Sequence, residues 1–113
     1  MNLSGANGSQ LTSLQRYDKD MQFWYVYVLR SSKDNNFYIG STGNLKRRLL
    51  EHQNGKNIST SKRLPVELFY FEGHRSKDDA IRREKYFKTT KGKVTLRQIL
   101  RASLIEPIVN NDL

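Results

Sequence analysis

The stretch from Trp24 to His52 does most to restrict what this chain can fold into. It follows directly on Phe23 and opens with an apolar, aromatic run, Phe23 to Leu29 (FWYVYVL), that is β-branched or aromatic at nearly every position. Such a run is too short for a helix that is apolar all round, and its composition suits a strand buried on both faces. SSKDNN follows as a turn, and Phe37 to Ser41 (FYIGS) reads as a second strand, so the two form a hairpin. Ten residues stand between Tyr27 and Tyr38. In a bulge-free antiparallel hairpin an even number of intervening residues sends both side chains to the same face. Asn44 then caps a helix from Leu45 to about Asn54, with Gly55 as its stop. At about 100° per residue, Leu45 and Leu49 form the buried stripe. Arg48 and His52 lie one turn apart on its flank, and Arg47 faces water.

The rest of the chain supplies layers to cover that hairpin. Lys56 to Pro65 (KNISTSKRLP) is a polar, basic, hydroxyl-rich loop, and Val66 to Gly73 (VELFYFEG) is a third strand in which Val66, Leu68 and Tyr70 alternate with Glu67, Phe69 and Phe71. Ser76 and Asp79 resemble a capping box for a helix to about Lys88, with Ala80, Ile81 and Phe87 inside. TTKGK breaks the chain, and Val94 to about Leu104 forms a third helix with Leu96, Ile99, Leu100 and Leu104 inside. The expected fold is α/β of the α+β type: a small, mostly antiparallel three-stranded sheet flanked by helices, in the order β-β-α-β-α-α. Residues 1–21 are polar and lack periodicity and are expected to be a disordered leader. The domain is expected over 22–104, with a frayed tail at 105–113.

A chain of 113 residues holds one small domain. Its 20 Lys and Arg against 11 Asp and Glu give a net charge of +9, which points to a polyanion as partner, because clustered cations gain affinity by releasing counterions from phosphates. With no cysteine, disulfides and thiolate metal sites are excluded. Two histidines rule out a multi-histidine zinc site. No segment has the length of a membrane span or the apolar core of a signal peptide, so a cytoplasmic protein without a membrane partner is expected.

Three sets of residues carry the chemistry. Glu84 falls in the middle of the apolar stripe of its helix, where a carboxylate is costly without a partner. Either Lys88, one turn on, supplies that partner, or Glu84 binds a hard divalent cation such as Mg²⁺, which often takes only one or two protein carboxylates. Arg48 and His52 are either a basic helix face or a phosphate clamp with a proton carrier beside it. Tyr27 and Tyr38 either pack, as strand aromatics commonly do, or present two hydroxyls on a shallow floor opened by Gly40. No phosphate loop of the Walker kind occurs, and Ser41, Ser59 and Ser61 lack the strand–elbow–helix setting of a nucleophilic serine.

Together these residues resemble the GIY-YIG endonuclease superfamily. Tyr25-Val26-Tyr27 stands at its first motif, with Tyr25 in place of the name-giving glycine, and Tyr38-Ile39-Gly40 at its second. Arg48, His52 and Glu84 match its later positions, the last within Arg82-Arg83-Glu84-Lys85-Tyr86-Phe87-Lys88. The resemblance covers roughly residues 23–100. It is nearest to small stand-alone bacterial members related to the nuclease domain of the UvrC excision-repair subunit.

The resemblance implies a DNA endonuclease that hydrolyses phosphodiester bonds with one divalent cation, Mg²⁺ or Mn²⁺, on Glu84. Tyr27, more than Tyr38, would orient or deprotonate water, with His52 assisting. Arg48 would stabilise the transition state. Lys46, Lys56, Lys62 and Arg63 are candidates for gripping flanking phosphates. Cleavage is expected to be structure-selective, on branched or damaged DNA, or weakly specific, with a homodimer or partner protein supplying target choice. Two other classes stand beside this one: a nucleic-acid-binding module with the same fold and little turnover, and a small RNA-associated protein whose tyrosines only pack.

Overall fold

The computed structural model describes residues 21–105, so the expected leader, apart from Met21, and the expected tail beyond residue 105 lie outside the described residues. Three strands and three helices follow the expected order: β1 (Trp24–Ser31), β2 (Phe37–Thr42), α1 (Leu45–Gln53), β3 (Val66–His74), α2 (Lys77–Phe87) and α3 (Thr90–Ile99). The sheet is antiparallel with strand order β2-β1-β3, so β1 is central and β2 is an edge. Among the described residues no helix is long and apolar enough to cross a membrane.

The central position of β1 explains its unbroken apolar run, because Val26, Tyr27, Val28 and Leu29 are all buried and face alternate sides. Val26 and Val28 pack with Ala80, Phe87, Leu96 and Leu100, which puts α2 and α3 on one side of the sheet. Tyr27 and Leu29 pack with Tyr38, Leu45 and Leu49, which puts α1 on the other. In the register of the hairpin Tyr27 lies opposite Gly40 and Leu29 opposite Tyr38, so both tyrosines share the α1 side. Asn35 takes a left-handed conformation (φ 60°) in the hairpin turn, which asparagine tolerates better than most residues. At the end of α1, Gly55 has φ 73° and stops the helix as expected.

Three local expectations change. The alternation expected along β3 is broken by a register shift opposite Val28 and Leu29. Leu68 pairs with Leu29 while Tyr70 pairs with Val28, so Phe69 is an extra residue. Val66 and Leu68 therefore join the α1 side, and Phe69 and Tyr70 join the α2–α3 side. One inserted residue reverses the facing of all that follow, because side chains alternate with period two.

The third helix also begins earlier than expected. Thr89 caps it, its hydroxyl accepting from the Gly92 N–H at 2.9 Å, so TKGK forms the first turn rather than a break. Gly92 serves close packing: a Cβ there would collide with the Tyr86 carbonyl. With the helix ending at Ile99, that residue is 39% exposed while Leu96 and Leu100 are buried. Finally, Ser76 caps α2 by accepting from the Asp78 N–H at 3.2 Å, and Asp79 pairs with Arg82 at 2.7 Å instead of closing a capping box.

An ion pair joins α2 to β3. Glu72 on β3 accepts from Tyr70 (2.9 Å), His74 (2.7 Å) and Arg83 of α2 (2.9 Å). Burial and the Glu72 carboxylate push the Tyr70 phenol up to about 12.

Candidate active site

The α1 side and the α2 side of the sheet meet around the free edge of β2, and the chemistry-bearing residues gather there. Tyr27, Tyr38, Arg48, His52 and Glu84, with Ser41, line one cavity of about 180 Å³. Five residues spread over 57 positions of sequence thus come together. Gly40 makes this geometry available. It faces Tyr27 across the hairpin, and a Cβ on it would lie 2.6 Å from the Tyr27 ring carbon that carries the hydroxyl. The missing side chain lets the phenol cross the edge strand into the cavity.

The Tyr27 hydroxyl lies 2.9 Å from His52 Nε2, and His52 Nδ1 lies 2.7 Å from the Thr60 hydroxyl. His52 and Thr60 are buried, so the three groups form a chain running inward from the cavity. Burial, and the nearby Arg48 charge, push the His52 imidazole below its ordinary value of 6.5. Burial pushes the Tyr27 phenol up; Arg48 opposes this without reversing it. At neutral pH the pair is therefore a neutral phenol beside a neutral imidazole.

Glu84 reaches the cavity from α2. Ser41 donates to its Oε1 at 2.5 Å and Lys88 to its Oε2 at 2.8 Å. Burial raises this carboxyl, but the Lys88 and Ser41 hydrogen bonds and the Lys88 and Arg48 charges outweigh that, so its pKa is lowered and it is ionised at neutral pH. Arg48 Nε lies 3.2 Å from Glu51 Oε1 but outside hydrogen-bonding geometry, so this buried N–H has no hydrogen-bond partner. The Arg48 side chain as a whole is 32% exposed and lines the cavity, so its guanidinium is a seat for an anionic oxygen.

The other expected residues are placed differently. Tyr38 lines the cavity, but its hydroxyl donates to Asp34 at 2.9 Å and ties down the hairpin turn. Arg63 pairs with the same Asp34 at 3.1 Å. Lys46 lines an apolar groove with Leu49, Leu50 and Phe71 on the far side of α1. None of Lys46, Lys56, Lys62 and Arg63 lines the cavity. Ser41, Asn57, Ser59 and Thr60 were not singled out from sequence as site residues. Ser41 and Ser59 stand out in the sequence only as serines without a nucleophile's setting, and the carboxylate contact of Ser41 spans 43 positions of sequence. The hydroxyl-rich composition of residues 56–65 was the one signal for the others.

Comparison with known proteins identifies the family. Residues 23–98 match the model of the GIY-YIG catalytic domain, and the chain belongs to the GIY-YIG family, whose domain carries a nuclease-type role on nucleic acid. Among its relatives is a UPF0213 protein of Streptococcus pneumoniae, 44% identical over 68 residues, which are 59% of this chain and 68% of that protein. A UPF0213 protein of Streptococcus agalactiae is 46% identical over 74 residues, 63% of this chain and 83% of that one. The solution NMR structure of the UPF0213 protein BH0048 from Bacillus halodurans is 31% identical and covers 68% of this chain and 84% of its own, with a TM-score of 0.44.

Proposed function

We propose that this chain is an endonuclease that hydrolyses phosphodiester bonds in DNA, with structure-selective or weak sequence preference, aided by one divalent cation on Glu84. The observation that carries this is the convergence of Tyr27–His52, the Arg48 guanidinium and the ionised Glu84 on one small cavity. A module that only binds nucleic acid gains nothing from a carboxylate in its floor, where it repels phosphate.

Glu84 fits the role of cation ligand. It is the one acidic side chain lining the cavity, and it already holds a cation, the Lys88 ammonium. Lys88 is 54% exposed on a flexible stem and is free to yield its place. Among the described residues no group of three or more His, Cys, Asp or Glu comes together, so an all-protein cage is not on offer. A single carboxylate suits Mg²⁺ or Mn²⁺ used with waters and substrate phosphate completing the shell. Such an ion supplies Lewis-acid polarisation of the phosphate when bound.

The chain's own residues supply the rest. Because burial keeps Tyr27 protonated, its oxygen takes a proton from the attacking water only as its own proton passes to His52 Nε2. In the tautomer that serves this transfer, His52 Nδ1–H donates to Thr60, and the imidazolium that forms has both protons bonded. The water oxygen bonds to phosphorus, the bond to the leaving sugar oxygen breaks, that oxygen takes a proton from solvent, and the Arg48 guanidinium meets the negative charge that builds on the phosphate oxygens.

A second reading is a nucleic-acid-binding module with little turnover, favoured by the fact that both Glu84 oxygens already have partners. Nicking of supercoiled, flapped and branched DNA with Mg²⁺ or Mn²⁺ separates the two. Wild type is expected to cut, Glu84→Ala to lose cutting while still binding, and Arg48→Ala to lose about 10²–10³-fold in turnover. Equal cutting by wild type and Glu84→Ala removes Glu84 from the mechanism, and binding by wild type without cutting leaves the binding module.

A further inference from the structure

We propose that the free edge of β2 is a track along which one nucleic-acid strand is laid across the cavity. Arg47 and Lys77 grip it on one side of the scissile phosphate, and Lys93 and Arg97 on the other. This rests on the endonuclease reading and names how its substrate is held.

The track follows from three depressions that succeed one another along β2. The catalytic cavity occupies the middle, at Tyr38 to Ser41. A second depression of about 380 Å³ starts at Asn36, shares Tyr38 and Ile39 with the cavity, and is lined on its outer side by Lys93 and Arg97 of α3. A third of about 240 Å³ shares Ser41 and Arg48 with the cavity, ends at Gly43, and is lined by Arg47 and Lys77. Across all three Glu84 is the one acidic lining residue. Asn36 to Gly43 spans roughly 23 Å at about 3.3 Å per residue.

The cations on this line are arranged as a receptor rather than as a solvated face. Lys77 Nζ lies 5.4 Å from the centre of the Trp24 ring, and the Arg97 guanidinium 5.9 Å from that of Phe37. Rings at the two ends of the edge thus hold these two charges in place. Among the described residues none of Lys77, Lys93 and Arg97 has a carboxylate partner; Arg47 pairs only loosely with Glu51, at 3.9 Å, whereas Arg63, Arg82 and Arg83, which line none of the three depressions, are paired at 2.7–3.1 Å with Asp34, Asp79 and Glu72. Positive charge left uncompensated on both flanks of a phosphate site, along an unpaired strand edge, fits a backbone polyanion passing through the site.

The test is fluorescence anisotropy with the full chain and a labelled DNA strand, single and as a flapped duplex, in EDTA over a series of salt concentrations. Lys93→Ala/Arg97→Ala is expected to weaken binding about tenfold or more and to flatten the slope of log affinity against log salt by about 1.4–1.8, two phosphate contacts' worth. Lys77→Ala is expected to flatten it by about half as much. A charge-matched pair off the track, Lys85→Ala/Arg101→Ala, is expected to change affinity less than about twofold. Equal losses from both pairs, with unchanged melting temperatures, overturn the track, as does no loss from Lys93→Ala/Arg97→Ala. Cleavage with Mg²⁺ is scored separately. A wild type that binds along the edge without cutting ends the endonuclease reading and leaves the track standing; cutting at unchanged KM by Lys93→Ala/Arg97→Ala does the reverse.

Discussion

The Tyr27 hydroxyl and His52 Nε2 are 2.9 Å apart, with the two rings edge to face at 5.6 Å between centroids. One group comes from the central strand and the other from the last turn of α1. The contact therefore exists only when α1 is docked on the sheet, and it ties the integrity of the fold to the chemistry. Tyr27→Phe removes the hydroxyl and keeps the ring. Turnover is expected to fall about 10²–10⁴-fold. Stability in urea is expected to fall by about 1–3 kcal/mol, because Nε2 is left buried without a partner. Retained cutting would remove Tyr27 from the proton path.

Thr60 acts through His52 and not on the substrate. Its hydroxyl is fully buried and 2.7 Å from Nδ1, where it accepts from Nδ1–H in the tautomer that leaves Nε2 open to the Tyr27 proton. Thr60→Val keeps the shape and removes the bond. It is expected to lower turnover with little change in KM, and to cost about 1–3 kcal/mol of stability. Thr60→Ser is expected to restore both, and a KM effect equal to the turnover effect would argue against a positioning role.

Acidity is expected to act on His52 first. Burial holds its folded pKa below the ordinary 6.5, so between those two values the unfolded chain binds more protons than the folded one. Stability therefore declines as pH drops below 6.5 and levels off below the folded pKa. The acid limb of activity also lies below 6.5, since His52 accepts a proton only when neutral. Glu84 has a depressed pKa as well; its contribution is complete above 4.5 and is lost as pH falls through its folded value. Titration of the His52 ring by NMR checks the first part, and a folded pKa at or above 6.5 contradicts it.

Gly40→Ala tests the close approach at the strand edge. The new methyl would lie 2.6 Å from Tyr27 Cζ, so the phenol has to shift away from the cavity or the strand has to move. A loss of about 1–3 kcal/mol is expected from overpacking. A fall in turnover comparable to that of Tyr27→Phe is expected with it. A fully active Gly40→Ala would show that the phenol position is not tightly required.

Local pattern made much of this legible. The FWYVYVL run determined a central strand because no other element buries both faces of so short a segment. Asn44, Gly55 and the Leu45–Leu49 spacing determined α1, since caps and helical period are local properties. Arg48 and His52 shared a face for the same reason, and Glu84 stood out because a carboxylate interrupted an apolar stripe.

Only the tertiary structure decided what those residues touch. The register shift at Phe69 and the bonds of Ser41 to Glu84 and Thr60 to His52 join segments that sequence spacing does not relate. The same holds for Tyr38, whose hydroxyl turned to Asp34, and for Lys93 and Arg97, which α3 carries to the edge of β2. A side chain's period is set by its own few neighbours in sequence. Its partner is set by how two elements dock, and that depends on the whole core at once.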